Sequence, residues 1–286
     1  MTLTINRTVL MSGAEFFHVE ELNPYSHKAD QPDVILAQDE HKSIRAALES
    51  AGIHTVMVDA PAGCQDGVYT ANWALCRGDT AVLSALPNMR RAEEPHAEKV
   101  LQRLGKKIVT PPYRFSGQGD ALPCGNLLFA GSGYRTDPRM HSFLADTLGY
   151  DVISLETLPE FDDDGRPVTN QVTGWPDSFF YDIDLALSVI TPELIAWCPD
   201  AFTPESQEKI RGLDTVEKIE VSLVEAEQSF ACNLVSNGET VIMSAYAPRL
   251  RTDLEARGLQ VVTPEIRELA KGGGFIRCTT LTLDNE

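Results

Sequence analysis

The sequence predicts an α/β chain built as a ring of five strand-and-helix units with pseudo-fivefold symmetry. Five segments each end a polar helix at a glycine and pass into a β-rich run: "ALESAGIHTVMVD", "VLQRLGKKIVTPP", "FLADTLGYDVISLE", "KIRGLDTVEKIEVSL" and "DLEARGLQVVTPE". Their glycines, Gly52, Gly105, Gly149, Gly212 and Gly258, lie roughly 44 to 63 residues apart, near the period of repeated supersecondary units. Glycine- and polar-rich segments at 11–25, 64–75, 115–135, 175–185, 230–238 and 272–280 fall once per unit or beside it. A ring would bring these distant loops to one axis. On the pattern alone, an ordinary α/β protein with frequent helix–glycine–strand joins is the alternative.

Each unit is justified by local chemistry. Apolar residues at helical spacing, such as Ile44, Ala47, Leu48 and Ala51, precede the first glycine. All five glycines are expected to end their helices in the left-handed conformation, which costs glycine least. Between the helices lie further strand-like runs, "TAVLSAL", "GNLLFAG", "LIAWCP" and "ETVIMSA". The segment 158–178 reads as a long polar loop, acidic at its start, either a solvated excursion or a lid.

The 286 residues are 43% hydrophobic, enough for a large core in one domain or two small ones. A formal net charge of -18 repels the phosphate backbone, so nucleic acid is not an expected partner, whereas a cationic small molecule is attracted. No apolar run reaches the length of a membrane span, and no signal-peptide pattern is present, so a membrane is not an expected partner. The six cysteines lack paired close spacing and read as reduced thiols of a cytoplasmic protein. No HExxH or CxxC pattern occurs, and neither a metal nor an organic cofactor is expected.

One thiol stands out. Cys278 follows a glycine run in "GGGFIRCTTLTL" (272–283), where glycines let backbone approach a ligand closely. A free cysteine is most often a buried, inert core residue. The odds change with the order of the other motifs: "MSGAEFFHVEELNPY" (11–25), "CQDGVYTANWAL" (64–75), "FSGQGDAL" (115–122), "GSGYRTD" (131–137), "FFYDIDLAL" (179–187) and "ACNLVSNGETVIM" (231–243). Together they resemble the guanidino-group modifying superfamily of dimethylarginine dimethylaminohydrolases, arginine deiminases, arginine dihydrolases and amidinotransferases. The resemblance covers nearly the whole chain. It implies the five-bladed α/β propeller known as the pentein fold, in one domain over residues 1–286.

The resemblance also implies site residues. Cys278 matches the family nucleophile, a thiolate suited to adding to a planar carbon that bears three nitrogens. Asp66 matches an acidic residue that holds the guanidinium, and Asn72, with Asn23 in "NPY", looks like the arginine dihydrolase branch. Asp120 and Asp184 are expected to hold substrate nitrogens, and Arg135 to clamp a substrate carboxylate through its forked guanidinium.

Two positions depart from the family. Relatives carry Glu-Gly-x-Gly-Asp where this chain has Ser116-Gly117-Gln118-Gly119-Asp120, so the family glutamate is Ser116. Relatives carry His-x-Asp where this chain has Asp182-Ile183-Asp184, so the family histidine is Asp182. The glutamate and histidine normally work together in proton transfer. One carboxylate is lost at 116 and one gained at 182, which reads as rearrangement, with Asp182 as the new proton carrier. The expected function is hydrolysis of a guanidine-type C–N bond of an arginine-like or ureido amino acid through a covalent Cys278 intermediate. An amidinotransferase, or a ligand-binding paralogue without turnover, are the alternatives. An oligomer is compatible with the sequence.

Overall fold

The computed structural model describes residues 5–286. The first unit contains β1 (Thr8–Ser12), α1 (Val34–Ser50) and β2 (His54–Val58), with β1 and β2 parallel. The second holds β3 (Ala74–Arg77), β4 (Thr80–Leu83), α2 (Glu94–Arg103) and β5 (Lys107–Val109). The third holds β6 (Ala121–Cys124), β7 (Leu127–Ser132), α3 (Arg139–Leu148) and β8 (Asp151–Glu156). The fourth holds β9 (Leu187–Thr191), β10 (Leu194–Trp197), α4 (Pro204–Arg211) and β11 (Glu217–Glu220). After α5 (Leu223–Ser229) comes the fifth, with β12 (Val235–Ser236), β13 (Thr240–Ile242), α6 (Pro248–Glu255) and β14 (Gln260–Val262).

Every unit is a three-stranded sheet: an antiparallel pair, a helix, then a strand parallel to the middle one. The first unit takes its antiparallel strand from the far end of the chain, β15 (Leu281–Thr282), which pairs with β1. The two ends of the chain therefore complete the same sheet.

The helices lie on the sheets through one apolar stripe. In α1, Ala37, His41, Ile44, Ala47 and Leu48 are buried at helical spacing, and Asp33 caps its first turn by accepting from the Ile35 and Leu36 amides. Gly52, Gly105, Gly149 and Gly258 all have φ between 74° and 82°, as the left-handed join requires. Gly212 differs. It closes α4 at φ −73°, a right-handed value open to any residue, so the expectation of a left-handed stop fails there.

The polar stretch 158–178 has only isolated bridges, Phe161 with Pro167 and Thr169 with Pro176. It is tied down by the Asn170 amide, which donates to the Glu21 carbonyl at 3.5 Å, and by the Arg114 guanidinium, 4.4 Å from the centre of the Trp175 ring. Among the described residues no helix is long and apolar enough to cross a membrane, and no group of three metal-ligating side chains occurs. All six cysteines are free and buried.

Candidate active site

The site is assembled from one recurrent position. Asn72 lies in the turn Thr70–Trp73 that leads into β3. Asp120 follows the turn Gly117–Gly119 and leads into β6, and Asp184 lies in the turn Ile183–Leu185 ahead of β9. Asn233 stands two residues before β12, and Cys278 three residues before β15. Each unit thus places one polar side chain just ahead of its first strand.

A circuit of hydrogen bonds joins these five turns. The Ala71 amide donates to the Cys278 carbonyl at 3.0 Å. Asn72 Nδ2 donates to the Ser116 carbonyl at 3.0 Å. The Ile183 amide donates to Asp120 Oδ1 at 2.9 Å. Asn233 Nδ2 donates to the Asp184 carbonyl at 3.3 Å, and Asn233 Oδ1 accepts from the Cys278 amide at 3.2 Å.

The sulfur sits at the join of the fourth and fifth units. Asn233 Nδ2 lies 3.2 Å from Cys278 Sγ, and Sγ lies 3.3 Å from Asp184 Oδ2. Burial first, and the Asp184 carboxylate second, hold the Cys278 thiol well above its ordinary range, so the unliganded site keeps it protonated. An arriving cation changes that balance. The glycine run before it packs closely: Gly273 has φ 85°, and a Cβ there would collide with the Asn23 side chain. Asn23 itself donates to the Gly272 carbonyl at 3.1 Å and accepts from the Tyr25 amide at 3.0 Å, so the structure places it as a brace for that loop.

Ser116 and Asp182, the two positions expected to depart from the family pattern, meet at one amide. Asn72 Nδ2 reaches Ser116 Oγ at 2.9 Å and Asp182 Oδ2 at 2.8 Å. Asp182 Oδ2 also accepts from Arg135 Nη1 at 3.1 Å, while the Arg135 guanidinium lies 4.0 Å from the centre of the Tyr181 ring. Backbone must come very near here. A Cβ on Gly119 would lie 2.5 Å from Asn72 Nδ2 and 2.9 Å from Asp182 Oδ2. Asp182 Oδ1 and Asp184 Oδ1 are buried and have no hydrogen-bond partner among the described residues. They are acceptors in want of donors.

The carboxyls titrate as a crowded acidic group. Burial, and then the charge of Asp182, push Asp120 up to about 8 and hold Asp184 well above the usual carboxylate range. Burial pushes Asp66 up to about 6 against the pull of Arg90. Buried His41, in contrast, is held down to about 4.

These shifts set a stability profile. Asp120 and Asp66 bind protons more tightly folded than unfolded, so their contribution is full below pH about 4 and lost as pH rises through about 6 and 8. His41 acts oppositely, but only between its ordinary value of 6.5 and about 4. Above pH 6.5 the aspartates act without that opposition. Asp184 acts in the same sense, so thermal unfolding should reveal stability falling as pH rises from 6.5 to 8. Asp120→Asn should flatten that slope; an unchanged slope would remove Asp120 as its origin.

Sequence reasoning missed two residues. Arg90 bonds Asn72 Oδ1 at 2.7 Å through Nη1 and lies 3.7 Å from Asp66 Oδ2 through Nε. It is itself held by Glu93, at 2.8 and 2.9 Å. No motif marked it; only the fold brings "NMRRAE" beside the turn at 70–73. Asn233, which touches the sulfur, stood inside a motif already singled out and matches Asn72 in its position ahead of a first strand.

Comparison with known proteins follows the same residues. The sequence model described as N,N dimethylarginine dimethylhydrolase, eukaryotic, matches residues 20–284. The chain belongs to the dimethylarginine dimethylhydrolase family. It is 32% identical over 279 residues to the N(G),N(G)-dimethylarginine dimethylaminohydrolase of Mycobacterium tuberculosis, covering 97% of this chain and 86% of that protein. It is 31% identical over 257 residues to the bifunctional arginine dihydrolase/ornithine cyclodeaminase AgrE of Nostoc, covering 84% of this chain but only 34% of that longer protein. Among solved structures, the N-terminal domain of ArgZ covalently bonded to a reaction intermediate superposes with a TM-score of 0.86 at 25% identity, covering 97% of this chain and 98% of that one. Within the dimethylarginine dimethylhydrolase family, then, this chain has a mixed α/β fold with a serine at 116 and an aspartate at 182.

Proposed function

We propose that the protein is a hydrolase that cleaves a guanidine-type C–N bond of an arginine-like small molecule through a covalent bond to Cys278. The observation that carries this reading is the sulfur of Cys278 held beside Asp184, whose Oδ1, like that of Asp182, is buried without a donor among the described residues. Guanidinium N–H groups are the donors those oxygens lack. The names of the mycobacterial and cyanobacterial relatives agree with it. We take the five sheets as blades of one closed pentein propeller spanning residues 1–286. The hydrogen-bond circuit and the shared first sheet support that closure.

The chemistry runs through the residues in hand. Asp66, Asp182 and Asp184 receive the guanidinium nitrogens, with Asn72 alongside, while Arg135 faces the substrate's polar end. The bound cation favours the thiolate, and the Cys278 proton passes to Asp184. Sulfur adds to the central carbon. The adduct collapses by breaking one C–N bond, and the departing amine takes the proton that Cys278 gave to Asp184, relayed through Asp182. Water then adds to the thiouronium carbon, the C–S bond breaks, and the thiol is restored. The net change is guanidine plus water to urea-type product plus amine, and thiol and carboxylates suffice for it.

The test is incubation with a panel of guanidines and ureas, read by mass spectrometry for product and for a covalent adduct on Cys278. A ureido product with ammonia or alkylamine is expected. Product only in the presence of an added amine would replace hydrolysis by amidino transfer. Ligand-induced thermal stabilisation with no product across the panel would make the chain a binding paralogue.

A further inference from the structure

Arg277 immediately precedes the nucleophile but faces different surroundings. Its side chain is 5% exposed. Its partners are neutral: Nη1 donates to Thr282 Oγ1 at 3.1 Å, Thr280 Oγ1 at 3.4 Å and Asn6 Oδ1 at 3.5 Å. Among the described residues no carboxylate lies within 4.0 Å of it, and residues 1–4, Met-Thr-Leu-Thr, carry none. Asp184 and the Cys278 sulfur act on it only at longer range. A buried charge is normally answered by an opposite one, because desolvation is otherwise uncompensated.

Arg277 is one of the residues lining a cavity of about 220 Å³ that contains none of the site residues named above. Arg77, Gln118 and Asn126 line it too. Arg77 has no carboxylate partner either: it donates to the Leu148 carbonyl and to Asn126 Oδ1, both at 2.9 Å, and lies 3.9 Å from the centre of the Tyr150 ring. Arg7 and two acidic residues complete the charges there, and these answer one another, with Asp284 at 3.2 Å and Glu286 at 2.8 Å from the Arg7 guanidinium. Three arginines and two acidic residues thus line the cavity, an excess of one positive charge, and neither Arg77 nor Arg277 is paired with a carboxylate among the described residues.

We propose that this cavity is a binding site for a small oxyanion, a carboxylate or phosphate group held by the fork of Arg277 with Arg77 at its side. A planar guanidinium matches either group through paired N–H donors. The site is independent of whether the chain hydrolyses guanidines, and its test reads binding alone.

The full chain is titrated at pH 7 with sodium phosphate and, separately, sodium succinate, against sodium chloride at matched ionic strength, by calorimetry and thermal unfolding. A saturable stabilisation beyond that of chloride is expected with at least one of them, and the arm that saturates at lower concentration assigns the ligand class. Cys278→Ser should retain it. Arg277→Gln should weaken binding at least about ten-fold while being no less stable than wild type without ligand, since an unanswered buried charge is removed. Arg77→Gln, at the rim, should weaken binding several-fold and carries the test if Arg277→Gln does not fold. Absence of saturable binding in both arms, or binding undiminished in both arginine variants, overturns the proposal.

Discussion

Cys278→Ala is expected to abolish turnover, lowering kcat/KM by ~10⁴-fold or more, as loss of a covalent nucleophile does. In the proposed reaction the sulfur forms the bond on which every later step depends, and no other thiol touches Asp184 or Asn233 among the described residues. Stability should change little. The substitution removes one sulfur from a residue 3% exposed, and Asn233 keeps its bonds to the Asp184 carbonyl and the residue 278 amide. The bond between sulfur and Asp184 Oδ2 is lost, which costs about 1 kcal/mol for a buried pair. The variant should therefore unfold within a few degrees of wild type and form no adduct with substrate. Near-normal turnover in Cys278→Ala would remove the covalent mechanism whatever the family. Unfolding at ordinary temperature would instead make Cys278 a structural residue.

Asp182→Asn should lower kcat by ~10²- to 10⁴-fold, the range of a lost proton carrier, with a much smaller change in KM. The amide keeps the shape that Asn72 and Arg135 grip at Oδ2 but loses the charge and the ability to carry a proton. That charge is also the second cause of the raised Asp120 carboxyl, so in the variant Asp120 should titrate lower. The alkaline limb of any residual activity should move to lower pH with it. Asp182→His supplies the histidine that the family resemblance implies at this position. With Ser116 beneath it, the imidazole has no carboxylate at 116 to orient and charge it, so only partial activity is expected, and adding Ser116→Glu should raise it. An inactive wild type made active by this double replacement would favour the binding paralogue. Unchanged turnover in Asp182→Asn would make Asp182 a partner of Arg135 only.

Much of the fold was legible because glycine and strand chemistry are local. Four of the five repeat glycines adopt the left-handed join, which depends on their own missing Cβ. Gly212 shows the limit: a helix can end in a right-handed turn, and the sequence does not distinguish the two ends. The candidate site divides the same way. Cys278, Asp66, Asn72, Asp120, Asp182 and Asp184 were visible because each stands in a motif beside a strand. Arg90 was not, because "NMRRAE" becomes part of the site only when the connection after β4 turns it toward Asn72 and Asp66.

The sequence by itself carried the repeat and, through the resemblance of its motifs, the expectation of a nucleophile at Cys278 and of replacements at 116 and 182, since residue identity and spacing need no third dimension. Tertiary structure alone decided that those two replacements share one amide, that of Asn72, and that Arg135 leans on Asp182. It alone decided that burial and the charge of Asp182 push the Asp120 carboxyl up, and that Arg277 and Cys278, neighbours in the chain, face different surroundings. The physical reason is range. Backbone preference acts over a few residues, whereas desolvation and charge coupling depend on which distant turns are packed within a few ångströms of one another.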